Sequence, residues 1–310
     1  MRTMLAMTAT VSMIFGMTTA GVAQADSGAC GATAKAARQA CKNEIGDDFW
    51  IAIGNCANLP AKNATKACGK AARQALAEAK TECSDQFDAR QTLCDALGAA
   101  PYDPPIDAAS FRSPASTAAN PNPYFPLMPG TVWVYQGGGE TITVTVTDRT
   151  KLIAGVTTIV VTDVVTVAGV VEEDTEDYFA QQLDGTVWYF GELSRQFENG
   201  DLVGVEGSFQ AGRDDAKPGI IMKAVPMVGD IYRQEFALGD AEDGGEVIST
   251  TGSETTPGGS CSGTCVVTRD FSPISPGADE HKFYAPGIGI ILEVDVDTGL
   301  RTELISVTHN

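Results

Sequence analysis

Thr141-Ile142-Thr143-Val144-Thr145-Val146-Thr147 alternates strictly between hydroxyl and aliphatic side chains. Successive side chains of a strand point to opposite faces, so this segment buries Ile142, Val144 and Val146 and leaves the threonines wet. The surrounding sequence keeps that character: from Tyr124 onward it is rich in Val, Thr, Ile, Tyr and Gly. Further strands are expected around residues 131–136, 157–167, 170–180, 186–191, 231–237, 246–251, 264–271, 281–285, 288–296 and 300–308. Asp184-Gly185 and Asp297-Thr298-Gly299 read as hairpin turns. Nothing beyond residue 124 has the period of a long amphipathic helix. Residues 124–310 are therefore expected to form an antiparallel β domain: a curved sheet, half-barrel or sandwich.

Upstream the chemistry changes twice. Residues 99–123 are dense in Pro, Ala, Ser and Asn, the composition of a linker that packs along a surface without a core of its own. Residues 26–98 are Ala, Lys, Arg, Glu and Gln with helical spacing, interrupted at Asn58-Leu59-Pro60. Thr65 is a candidate cap for the second helix and Gly98 a stop. Six of the eight cysteines mirror one another about residue 62: Cys30 with Cys94, Cys41 with Cys83, Cys56 with Cys68. Two packed antiparallel helices place facing Cα atoms about 4–5.5 Å apart, which is within disulfide reach. The pattern predicts a helical hairpin closed by three nested disulfides, giving an α+β chain overall. Cys261 and Cys265 are expected to form a fourth, a small loop closing a β-hairpin.

Residues 1–25 read as a secretory signal peptide, with Arg2, an apolar stretch from Met4 to Met17, and Ala23-Gln24-Ala25 before the cleavage point. An even cysteine count suits export to the periplasm or beyond the cell. The apolar stretch is short and not repeated, so no transmembrane segment is expected. The chain carries 21 basic and 40 acidic residues, for a net charge of −19. That balance opposes phosphate backbones and anionic surfaces, and nucleic acid is not an expected partner.

Tyr124-Phe125-Pro126-Leu127-Met128-Pro129-Gly130-Thr131-Val132-Trp133-Val134-Tyr135 resembles the opening of many exported bacterial β-domain proteins. Asp177-Tyr178-Phe179-Ala180-Gln181 with Val187-Trp188-Tyr189-Phe190-Gly191-Glu192, and Lys282-Phe283-Tyr284-Ala285-Pro286-Gly287-Ile288-Gly289, resemble later segments of that group. The resemblance implies an exported β domain, in some members a curved half-barrel that holds lipid or lipoprotein. It carries over no catalytic residue, because fold does not bring function with it.

Candidate sites are few. With only His281 and His309, a histidine-rich zinc site is excluded, and neither a Gly-x-Ser-x-Gly elbow nor a phosphate-cradling glycine motif occurs. His281, in Asp279-Glu280-His281-Lys282 just before a strand, is either a general base oriented by a carboxylate or an ordinary exposed histidine. The acidic run containing Glu173, Asp174 and Asp177 leads into Tyr178, Trp188 and Tyr189 and then Glu192. Those carboxylates are candidates for an acid–base pair of the glycosidase kind or for Ca²⁺, although no cofactor is required. The aromatics are candidates for stacking on a ligand. Asp295-Val296-Asp297-Thr298-Gly299 starts like a calcium loop, but Ser306 stands where its acidic twelfth residue belongs, so a turn is expected. A Cu(I)-thiolate store in the cysteine hairpin conflicts with export. The function expected from these residues is binding or scaffolding, with an apolar small molecule, a lipid or an envelope protein as partner. A carboxylate-dependent hydrolase or lyase is the alternative, and a structural surface protein the third reading.

Overall fold

The computed structural model describes residues 28–309; residues 1–25, expected from the sequence to be a signal peptide, lie outside the described residues. Two helices open it, α1 (Ala29–Ala57) and α2 (Lys62–Leu97). The mirrored cysteines pair as their spacing predicts: Cys30–Cys94, Cys41–Cys83 and Cys56–Cys68, with Cα separations of 5.7, 5.9 and 5.5 Å. Buried Ala34 and Ala37 permit that approach. Gly98 ends α2 with a positive φ of 93°, a conformation that glycine takes without a Cβ clash. Thr65 does not cap the helix, which starts three residues earlier. Its hydroxyl instead donates back to the Ala61 carbonyl.

Residues 99–123 do more than bridge. They run along the outer face of the sheet, with a 3-10 turn at Ala108–Ser110 and the short α3 (Pro114–Ala119), whose amino end Ser113 caps. Phe111 inserts edge-on against Phe190, 5.4 Å between centroids, in an outer apolar cluster with Tyr178 and Trp188. The segment thus contributes to a core, against the expectation from its composition.

The strands follow as β1 (Thr131–Gly137), β2 (Glu140–Ile153), β3 (Val156–Val167), β4 (Val170–Gln181), β5 (Val187–Glu198), β6 (Asp201–Gly204), β7 (Phe209–Gln210), β8 (Lys217–Met222), β9 (Ile231–Arg233), β10 (Glu235–Phe236), β11 (Gly244–Thr256), β12 (Gly259–Phe271), β13 (Asp279–Ala285), β14 (Gly289–Asp295) and β15 (Arg301–His309). All pair antiparallel in one nearly barrel-shaped sheet, ordered β10-β8-β5-β4-β3-β2-β1-β15-β14-β13-β12-β11-β9. Its two ends, β9 and β10, are consecutive in the chain with Gln234 between them. Ile231–Arg233 pairs with β11 and Glu235–Phe236 with β8, so one split strand spans the seam. A Cβ on Gly219 would lie 2.2 Å from the Gln234 carbonyl, and only glycine admits the crossing.

Alternation sorts the sheet into two cores. Val187 and Tyr189 face the interior while Trp188 and Phe190 face the outer cluster. The Cys261–Cys265 bond lies within β12 rather than at its hairpin turn; Cys261 is level with Glu254 and Cys265 with Gly252 across a bulged stretch of β11. His281 is likewise inside β13, half-buried between Arg269 and Val294, and not at a loop end.

Arg90 on α2 docks the hairpin. Its Nε and Nη2 donate to both oxygens of Glu242 at 2.9 and 2.7 Å, and both side chains are buried. Gln86 adds a bond to the Ile274 carbonyl.

Candidate functional site

The curled sheet holds a half-open cavity of about 220 Å³. Ile142, Val144 and Val146, the aliphatic half of the alternating stretch, form one wall, and Trp133, Phe179 and Ile290 are among the residues completing it. Four ionisable groups also reach it: Asp163, Asp177, Lys282 and Glu293. Asp163 and Asp177 come from β3 and β4, Lys282 and Glu293 from β13 and β14. Three strands separate β3 from β14 along the sheet, so these groups converge only because the sheet curls.

Their electrostatics follow from confinement. Burial pushes the Asp163 carboxyl well above the usual carboxylate range, and the charges of Asp177 and Glu293 add to the effect. Its Oδ1 has no hydrogen-bond partner among the described residues. Burial also raises Glu293, with Lys282 opposing. Lys282 loses solvation, yet the surrounding Glu293, Asp270 and Glu280 push its pKa well up; it lies 3.5 Å from Asp270 and Glu280 and 3.8 Å from Glu293. The ammonium is thus ringed by acids of its own sheet.

Behind Asp177 sits a three-membered constellation. The Tyr189 hydroxyl lies 2.6 Å from Asp177 Oδ1 and 2.9 Å from Glu192 Oε2. One phenol has one proton to donate, so the second short contact requires a carboxyl that itself carries a proton. Burial, and for Asp177 the Glu192 charge, raise both acids to about 7, while the Tyr189 hydrogen bond pulls down. Each carboxyl therefore changes its protonation near neutrality.

The sequence candidates distribute themselves as follows. Asp177 reaches the cavity; Glu192 and Tyr189 lie behind it, outside the lining. Glu173 accepts from the Thr175 hydroxyl, and Asp174 pairs with Arg195 at 3.2 Å. Tyr178 and Trp188 belong to the outer cluster beneath the linker. Asp295 Oδ1 accepts from the backbone and hydroxyl of Thr298, a hydrogen-bonded turn. Among the described residues no group of three or more His, Cys, Asp or Glu is arranged to hold a metal ion. Asp163, Lys282 and Glu293 were not singled out in the sequence. The available signal was a charge interrupting an apolar strand, as in Val160-Val161-Thr162-Asp163-Val164-Val165 and Ile290-Ile291-Leu292-Glu293-Val294.

Comparison with family models, curated proteins and solved structures found no match. Four disulfides are the signature of a chain that folds outside the cytoplasm, and no described helix is long and apolar enough to cross a membrane.

Proposed function

We propose that the barrel is a binding site for a small apolar molecule with one hydrogen-bond-donating end, in a protein exported to the periplasm or the extracellular space. The observation that carries this reading is a cavity with mostly apolar walls into which three carboxyls and a single, already ringed, ammonium project. An apolar cavity of about 150 Å³ accepts benzene, so about 220 Å³ suits a somewhat larger ring or one end of an acyl chain. Asp163 Oδ1, lacking a partner, is the acceptor for the ligand's donor group.

Trp133 lines the cavity and reports on occupancy. Titration with phenethylamine is expected to change its emission and raise the melting temperature, and hydrocinnamate to do so more weakly. Val144→Phe, which fills the cavity, is expected to abolish both effects while the fold persists. If neither probe binds the wild-type protein and native mass spectrometry of host-purified material recovers a bare chain, the reading fails. A second reading, acid–base catalysis by Asp177 and Glu192, is favoured by their common hydrogen-bond partner, the Tyr189 hydroxyl; it requires that a retained molecule be converted, and that Glu192→Gln stop the conversion.

A further inference from the structure

The distal part of the hairpin is charged against the rest of the chain. Residues 49–77 hold four of the 21 basic residues and none of the 40 acidic ones. Those four, Lys62, Lys66, Lys70 and Arg73, recur at intervals of four, four and three, which sets them on one face of α2. All four are exposed, and none makes an ion pair among the described residues. Level with Arg73 across the antiparallel register that the disulfides set, α1 carries an apolar group that the fold does not bury. Trp50 is 69% and Ile51 56% exposed, with Phe49 edge-on to Trp50 at 5.2 Å, and Leu59 is exposed at the turn.

This end of the hairpin stands clear of the barrel. The hairpin–barrel contacts include Arg90, Gln86, Cys30, whose sulfur faces Arg233, and a shallow groove where Glu78, Thr81, Glu82 and Asp85 face Ser275, Pro276 and Ala278. From Glu78 to Lys62 the helix advances roughly 24 Å at 1.5 Å per residue. For Lys62 that exceeds the Debye length of about 8 Å at physiological salt, so the outermost lysines are screened from the barrel's acidity, whereas Arg73, five residues or roughly 7.5 Å from Glu78, and Trp50, beside Asp47 and Asp48, keep acidic neighbours. The argument from net charge against anionic surfaces applies to the barrel, not to this tip.

We infer that the distal end of the helical hairpin docks on an anionic phospholipid surface, Lys62, Lys66, Lys70 and Arg73 meeting the headgroups while Trp50 and Ile51 enter the interfacial layer. Basic residues beside an exposed tryptophan are the pairing such an interface takes up. The Cys56–Cys68 bond fixes the tip before contact, so docking need not order a flexible segment.

Trp133 and Trp188 are buried, so Trp50 is the exposed fluorophore among the chain's three tryptophans. The full oxidised protein is expected to partition onto vesicles containing about one-third phosphatidylglycerol, with a blue shift of Trp50 emission, and to release in high salt. Replacing all four basic residues with glutamine is expected to reduce partitioning at least about tenfold, with the melting temperature unchanged because all four are exposed and make no ion pair among the described residues. Trp50→Ser should remove the blue shift. Absence of binding, equal binding to neutral phosphatidylcholine, or undiminished binding by the glutamine variant would overturn the inference. So would a stronger Trp50 response to a soluble polyanion such as heparin than to vesicles, which would assign the tip to a polyanionic partner.

Discussion

At the residue scale, the most consequential group is the Tyr189 hydroxyl between Asp177 and Glu192. Both carboxyls titrate near 7 in the fold, far above their ordinary values of about 4 in an unfolded chain. Between those limits the folded state holds protons that the unfolded state has released, so stability falls as pH rises from about 4 to about 7 and levels off above it. Raised Asp163 and Glu293 act in the same direction. Denaturant unfolding is expected to show a protein on the order of 3 kcal/mol more stable at pH 5 than at pH 8. Glu192→Gln should flatten that slope, since the neutral amide has no charge to bury. A profile that instead rises towards pH 8 would count against the raised carboxyls. Asp177 and Glu192 were visible in the sequence as members of an acidic and aromatic segment. Their meeting was not, because it depends on the register shift between Asp177 and Phe179 that places Asp177 opposite Glu192.

At the scale of elements, the hairpin was readable because disulfide geometry is exacting and three mirrored pairs leave antiparallel helices as the natural solution. The longer strands were readable from alternation. β6, β7 and β8 were not: they are four, two and six residues long, and no periodic pattern accumulates over such lengths. The linker's packing was hidden for a related reason, since a few scattered residues, Tyr102, Phe111, Thr117 and Asn122 among them, hold it to the sheet and composition averages them away. The docking of hairpin to barrel was equally hidden. Arg90 looks like any polar residue of α2, yet its partner Glu242 lies 152 positions away. Arg90→Ala leaves the Glu242 carboxylate buried without its cation, and a loss of about 3–5 kcal/mol is expected in chemical denaturation. Arg90→Met with Glu242→Leu removes both charges and should recover most of that loss. If the single and double variants are equally unstable, packing rather than charge holds the hairpin in place.

For the whole molecule, closure decides whether there is an interior at all. The alternating Thr141–Thr147 stretch guarantees an inside and an outside, but it is silent on whether the sheet's edges meet. They meet through Ile231–Phe236, which gives three residues to β11, two to β8, and turns at Gln234 over the bare backbone of Gly219. These ladders are short beside the fourteen residues of β2, so the seam has the fewest backbone bonds to break when the sheet opens locally. Amides of residues 217–222 and 231–236 are therefore expected to exchange with deuterium faster than those of β2 and β12. Gly219→Ala forces Gln234 away and should accelerate exchange across the seam while leaving β1 and β2 protected. A molecule held in the cavity contacts both halves of the sheet, from Val144 to Ile290, and should slow exchange at the seam in proportion to occupancy. Seam amides as protected as those of β2, with or without phenethylamine, would show that the barrel opens only with global unfolding.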